Sequence, residues 1–147
     1  MRTVPAVLLL CFAAACAPKE EAKAPPAPPP GPTLATFAGT WESKAILEGT
    51  KDPVTSTMTG TADASTWTMT LQGRPPIPLT VSISGDSLIA QTPEYESVLR
   101  KGVMVTVRTA SVLKDGMLTG NMVATYKTAK GAEMVKGTIT STRVPAK

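Results

Sequence analysis

The chain has 147 residues, a formal charge of +4 at pH 7, two cysteines and no histidine. Without histidine, no Ser-His-Asp, Cys-His or histidine–zinc site can be assembled within the chain. The positive charge is mild and interrupted by Glu and Asp, so there is no basic tract of the kind that binds nucleic acid.

The first segment, residues 1–15, begins with Met1-Arg2 and continues as a mostly apolar run that ends in Ala13-Ala14-Ala15 before Cys16. This is the three-part form of a secretory signal, too short to be a spanning helix. The small residues before Cys16 resemble a bacterial lipobox, with Ala13 where that pattern prefers Leu. The resemblance implies cleavage before Cys16 and lipidation of Cys16, and places the chain among bacterial lipoproteins. It implies a cell-envelope location, lipid-anchored, in the outer membrane of a diderm bacterium. Both cysteines lie at or before the cut, so no disulfide is expected in the folded region.

Residues 16–33 carry the cysteine and a proline-rich tether, Pro25-Pro26-Ala27-Pro28-Pro29-Pro30-Gly31-Pro32. Closely spaced prolines fix φ and remove amide donors, which forbids helix and sheet. In a polyproline II conformation, at about 3.1 Å per residue, such a tether spans roughly 50 Å.

Residues 34–147 form a third segment, read as one domain. It lacks a sustained helical period and shows period-two alternation rich in threonine, the pattern of half-buried antiparallel strands. Eight strands are predicted, at 39–48, 54–61, 65–72, 77–84, 87–93, 103–114, 117–127 and 133–143. Gly85-Asp86 and Asp115-Gly116 fit two-residue hairpin turns. Pro78 requires a bulge or an unpaired position. A change of apolar phase near Arg108-Thr109 predicts a second bulge. Short turns between successive strands imply an all-β, antiparallel, eight-stranded up-and-down barrel, which leaves no exposed edge.

Gly39-Thr40-Trp41 resembles the Gly-x-Trp that opens the first strand of lipocalin-like calycins. Arg143 matches the arginine that packs across that tryptophan near the end of the family's barrel. In size the domain is nearer the avidin-like barrels, which also start with Gly-x-Trp, but their biotin-site pattern is not evident. The resemblance implies barrel closure through Trp41 and Arg143.

Alternation places Met58, Trp67, Met69, Leu79, Val81, Val105, Leu118, Met122 and Tyr126 inside. A barrel of this size is either filled by its own side chains or holds one small ligand. Small residues such as Gly120 and Gly137 would leave internal space or permit tight curvature. The long connection, residues 92–102, places Tyr95 and Arg100 near the mouth, where Arg100 could grip a carboxylate. The ligand-binding candidates are therefore Met58, Trp67, Met69, Tyr95, Arg100, Met122 and Tyr126. No catalytic constellation, metal set or cofactor motif is visible. The expected function is non-catalytic: a lipid-anchored envelope lipoprotein whose barrel binds a small apolar or amphipathic molecule. The expected partners are the membrane, through the N-terminal lipid, and that small hydrophobic ligand. The alternative is a structural or protein-interaction module of the envelope. Replacing the lipidated residue, Cys16→Ser, should release the protein from the membrane fraction and leave the leader uncut. Membrane association equal to the parent's, with normal processing, would overturn the lipobox reading.

Overall fold

The computed structural model describes residues 24–147. The leader, Cys16 and the first part of the tether lie outside the described residues. Residues 24–33 are irregular and mostly exposed. One helical turn follows, α1 (Leu34–Phe37). Then come β1 (Gly39–Leu47), β2 (Val54–Gly60), β3 (Thr68–Leu71), β4 (Ile77–Pro78), β5 (Thr80–Ser84), β6 (Ser87–Gln91), β7 (Tyr95–Glu96), β8 (Met104–Lys114), β9 (Met117–Thr128) and β10 (Gly131–Arg143).

All pairings are antiparallel, in the order β4-β3-β2-β1-β10-β9-β8-β6-β5, with β7 added to β8. The two ends of this order, β4 and β5, are one strand interrupted at Leu79. Its first half pairs with β3 and its second half with β6. The Leu79 N–H donates to the Trp67 carbonyl at 2.9 Å, which carries the β3–β4 register one pair further. The sheet therefore closes on itself as an eight-stranded up-and-down barrel. Pro78 sits at the interruption, where its missing amide costs no ladder bond.

β1 shows why the sheet curls inward. Trp41, Ser43, Ala45 and Leu47 are buried, and Glu42, Lys44 and Ile46 are exposed. The hairpin turns follow their sequences. Asp115 and Gly116 both have positive φ, as a type I′ turn needs. At Gly85-Asp86 only the glycine does, which fits type II′.

Two expectations are corrected. The strand foreseen from residue 65 starts at Thr68, because Ala64–Thr66 is a single 3₁₀ turn. Asp63 Oδ1 accepts from the Ser65 amide at 2.8 Å, and Thr66 Oγ1 accepts from the Thr61 amide at 3.0 Å. These local side-chain bonds compete successfully with the ladder.

The bulge foreseen at Arg108-Thr109 is absent from β8, whose pairing with β9 runs unbroken from Met104 to Lys114. The extra residue is on the facing strand instead. Gln91 opposes Arg108 and Tyr95 opposes Val105, so four steps along one strand match three along the other. Thr92 bridges the gap: its N–H donates to the Val107 carbonyl, and its Oγ1 accepts from the Val107 amide. The interior positions of β8 beyond Val107 are thus Thr109, Ser111 and Leu113, while Arg108, Ala110 and Val112 face out.

Of the two readings of Gly120 and Gly137, internal space or tight curvature, the second holds. A β-carbon on either would overlap the backbone of the neighbouring strand, so these glycines permit close strand approach and curvature. The core also includes Phe37, before Gly39, which is fully buried.

The closed end is packed solid. Phe37, Trp41, Trp67, Leu88 and Leu118 are its largest buried side chains. Trp41 and Arg143 are direct cross-strand partners, and the Arg143 guanidinium lies 4.4 Å from the Trp41 ring centroid. The Trp41 indole N–H donates to the Phe37 carbonyl at 2.8 Å, and Arg143 donates to the Ala38 and Thr36 carbonyls. One aromatic–cation pair thus joins the first strand, the last strand and α1. Trp41→Ala should cost about 3–5 kcal/mol in urea unfolding, as a large core truncation does. Arg143→Ala should cost less, and the double variant should fall short of the sum by about 0.5 kcal/mol or more. Strict additivity would deny the pair its role.

Candidate functional site

The opposite end of the barrel is built differently. Cross-strand register sets Tyr95, Val105, Tyr126 and Glu133 side by side on β7, β8, β9 and β10. Below this row lie Val107, Ala124 and Val135, then Leu47, Met122 and Thr109. Apart from Glu133 and Val135, these residues line a mostly apolar cavity of about 70 Å3. A second cavity of about 40 Å3 lies deeper and shares Ser56, Met69, Val107, Thr109 and Ile139 with the first. Its other walls include Met58, Leu79 and Ser43. Ser43 and Ser141 hydrogen-bond to each other at 2.7 Å, both buried, so this belt of hydroxyls is satisfied where it crosses the core.

Residues 97–102 form a lid over the mouth. Ser97 is buried, and its Oγ accepts from the amides of Leu99 and Arg100, both at 3.1 Å. Its N–H donates to the Val103 carbonyl, and the Gly102 amide donates to Glu96 Oε1. The turn so formed lays Val98 and Leu99 across the cavity, although they remain 43% and 42% exposed. Arg74, from the β3–β4 connection, steadies the lid from one side by donating to the Glu96 and Ser97 carbonyls. On the other side Arg100 lies over the Tyr126 ring, 4.1 Å from its centroid, and makes a bidentate pair with Glu133 at 2.9 and 2.8 Å. Lys127 and Glu94 make a looser contact at 3.6 Å.

The electrostatics follow. Hydrogen bonding from Arg100 holds the Glu133 carboxyl below its ordinary value and raises Arg100 in turn. Burial, followed by the nearby Tyr126, raises the Tyr95 phenol above its usual value. Asp63, lowered by its bonds to Ser65, is a turn residue at the far end of the barrel.

Of the candidates named from sequence, Met69, Tyr95, Met122 and Tyr126 meet at the mouth cavity, and Met58 lines the deeper one. Trp67 is corrected. It is fully buried in the closed end, flat against Gly60, with its indole N–H given to the Thr61 carbonyl, and it lines neither cavity. Arg100 is also corrected. Its two forward nitrogens are occupied by Glu133, so it latches the lid and offers no free fork to a carboxylate. Sequence reading missed Glu133, Arg74, Val98 and Leu99. Glu133 shares the inward parity of Val135 and Ile139, a signal that becomes usable once the β9–β10 register is known.

Two larger concavities, about 610 and 550 Å3, lie outside the barrel over β1–β3 and over β1, β10 and β9. They are open saddles of the twisted sheet, and neither gathers groups around an enclosed space.

No protein-family profile matches the chain, and no curated protein does either. Solved structures give loose overlaps with avidin-type barrels. A bradavidin2–biotin complex shows 20% identity and a TM-score of 0.45, covering 70% of this chain and 96% of its own. Rhizavidin shows 13% identity and a TM-score of 0.46, with 78% and 90% covered. Intact afifavidin in its apo form shows 15% identity and a TM-score of 0.43, with 72% and 82% covered. The lipocalin-like assignment gains no support from these three. At such overlap the fold rests on this chain's own pairings, and no ligand is carried over.

The Arg100–Glu133 latch has a defined pH response. Because the folded-state pKa of Glu133 is depressed, its stabilisation is complete above the unfolded value, about 4.3. It is lost as pH falls through the lower folded value. Amide shifts of residues 97–102 should be flat from pH 8 to about 5 and move only in the acid range. Glu133→Gln should remove that acid step. An unchanged step in the variant would assign it to another carboxylate.

Proposed function

We propose that this chain is an exported, lipid-anchored envelope protein that binds a small, mostly apolar molecule at the mouth of its barrel without catalysing a reaction on it. The observation that carries the reading is the contrast between the two ends. The Trp41 end is packed solid, whereas the Tyr126 end encloses an apolar cavity under a short lid. The lid is held by one ion pair, carbonyl contacts and the half-buried Val98 and Leu99, and exposed polar contacts of that kind open at low cost. The leader and Cys16 support placement at a membrane surface, with the prolines of residues 25–32 as the spacer.

Cavity size narrows the ligand. An engineered apolar cavity of about 150 Å3 accepts benzene. The mouth cavity is about 70 Å3 with the lid closed, so a compact molecule fits or the lid must lift. The same small volume favours a second reading, a structural or interaction module with a nearly filled barrel and the outer surface as its working face.

Methyl NMR distinguishes them. Xenon or cyclopentane should shift the Met122 and Met69 methyl resonances saturably, and Met122→Trp should abolish the response by filling the space. Methyl groups that stay silent to both probes would discard the binding reading in favour of the filled barrel.

A further inference from the structure

Two phenols stand in the wall of the mouth cavity with no hydrogen-bond partner among the described residues. Tyr126 is only 3% exposed and Tyr95 is half-buried. They flank Val105, one on each neighbouring strand, and both line the cavity. Every fully enclosed side-chain nitrogen or oxygen among the described residues has a partner. The two hydroxyls therefore keep some access to solvent and, with Ser56, are the hydroxyls of this wall left open to whatever enters. A buried phenol ordinarily finds a partner, because the unmet hydrogen bond is unfavourable in apolar surroundings.

The cations nearest the two phenols are already engaged. Arg100 is held bidentately by Glu133 while it covers the Tyr126 ring, and Lys127 faces Glu94. Arg74, beside Tyr95, has no carboxylate partner but is engaged by the Glu96 and Ser97 carbonyls, so an anion entering here would have to displace Glu133 from Arg100 or the lid carbonyls from Arg74. A neutral oxygen would meet two neutral O–H donors. Burial keeps Tyr95 protonated well beyond neutral pH, which preserves its donor.

We infer that the mouth cavity selects small neutral molecules carrying one hydrogen-bonding oxygen, such as a ketone, lactone, ester or alcohol, with that oxygen set between Tyr95 and Tyr126 and the carbon skeleton directed toward Met69 and Met122. This rests on the binding reading above and adds the chemistry of the head group, a role distinct from the apolar contacts that any small hydrocarbon would make.

Three probes of similar ring size separate the two claims: cyclopentanone, cyclopentane and cyclopentanecarboxylate, titrated into the full chain with methyl-labelled methionine. Replacing both phenols, Tyr95→Phe with Tyr126→Phe, should weaken cyclopentanone about threefold to tenfold, the usual worth of neutral hydrogen bonds. Cyclopentane should bind the variant within about twofold of the parent, which also shows that the cavity is intact. Cyclopentanecarboxylate should bind the parent at least about tenfold more weakly than the ketone, since its charge must be desolvated and gains a partner only by breaking a lid contact of Arg74 or Arg100. In the parent, the bound ketone's carbonyl stretch should fall to a hydrogen-bonded frequency, a readout that needs no variant. Equal losses for ketone and cyclopentane, no loss for the ketone, an unshifted carbonyl stretch, or carboxylate binding as tight as the ketone's would each overturn the inference while leaving apolar binding standing. Failure of both cyclopentane and cyclopentanone to bind the parent would overturn the binding reading itself and this inference with it.

Discussion

Closure of β1 on β10 is the constraint from which the rest of the molecule follows. Seven residue pairs, from Trp41 with Arg143 to Leu47 with Gly137, join strands almost a hundred residues apart. Until that seam forms, the sheet has two open edges and a one-sided apolar face. The Trp41 ring supplies the buried area that makes the seam favourable, and Arg143 covers the ring from the partner strand. The same guanidinium satisfies carbonyls at the end of α1, so the chain entering the barrel is held at the point where the barrel is sealed. A cation at the end of a short helix also sits well with its exposed carbonyls.

From that seam the barrel has two unlike ends. Aromatic rings concentrate at one: Phe37, Trp41 and Trp67 fill the cross-section, and Trp67 lies against Gly60 because no β-carbon is there to hold it off. Toward the other end the side chains are narrower, and satisfied serines take part of the interior. The cavities arise there from that change in side-chain volume, with no change in strand number. A chain this short has little core to spare, so concentrating large rings at one end leaves the opposite end shallow.

The mouth joins a tight lid to a weakly held one. Within residues 97–102 the backbone is organised by its own hydroxyl and carboxylate contacts, so the lid keeps its shape. Its attachment to the barrel depends on Arg74 and Arg100, both at the surface, where water competes for every contact. On the binding function proposed above, such a flap would lift as a unit and admit a small molecule without unfolding the rim.

Much of this was determined by the sequence alone. Alternation with threonine on the outward face fixes strand parity, and the hairpin dipeptides fix where strands reverse. Together they specify eight strands in up-and-down order and the inward placement of Met58, Met69, Met122 and Tyr126. Local competition was harder to read: the 3₁₀ turn at Ala64–Thr66 and the extra residue at 92–94 depend on side-chain bonds to backbone, which alternation does not register. Parity also misleads where the interior is polar, as with Thr109 and Ser111, since apolar alternation does not register a hydroxyl that faces inward. Only the tertiary structure decided which interior residues share a space. Trp67 and Tyr126 are both inward aromatics, yet one plugs the closed end and the other walls the cavity, because their heights along the barrel axis follow from strand register. Arg100 likewise acquires its role from Glu133, thirty-three residues away, and that pairing exists only after β9 and β10 have aligned.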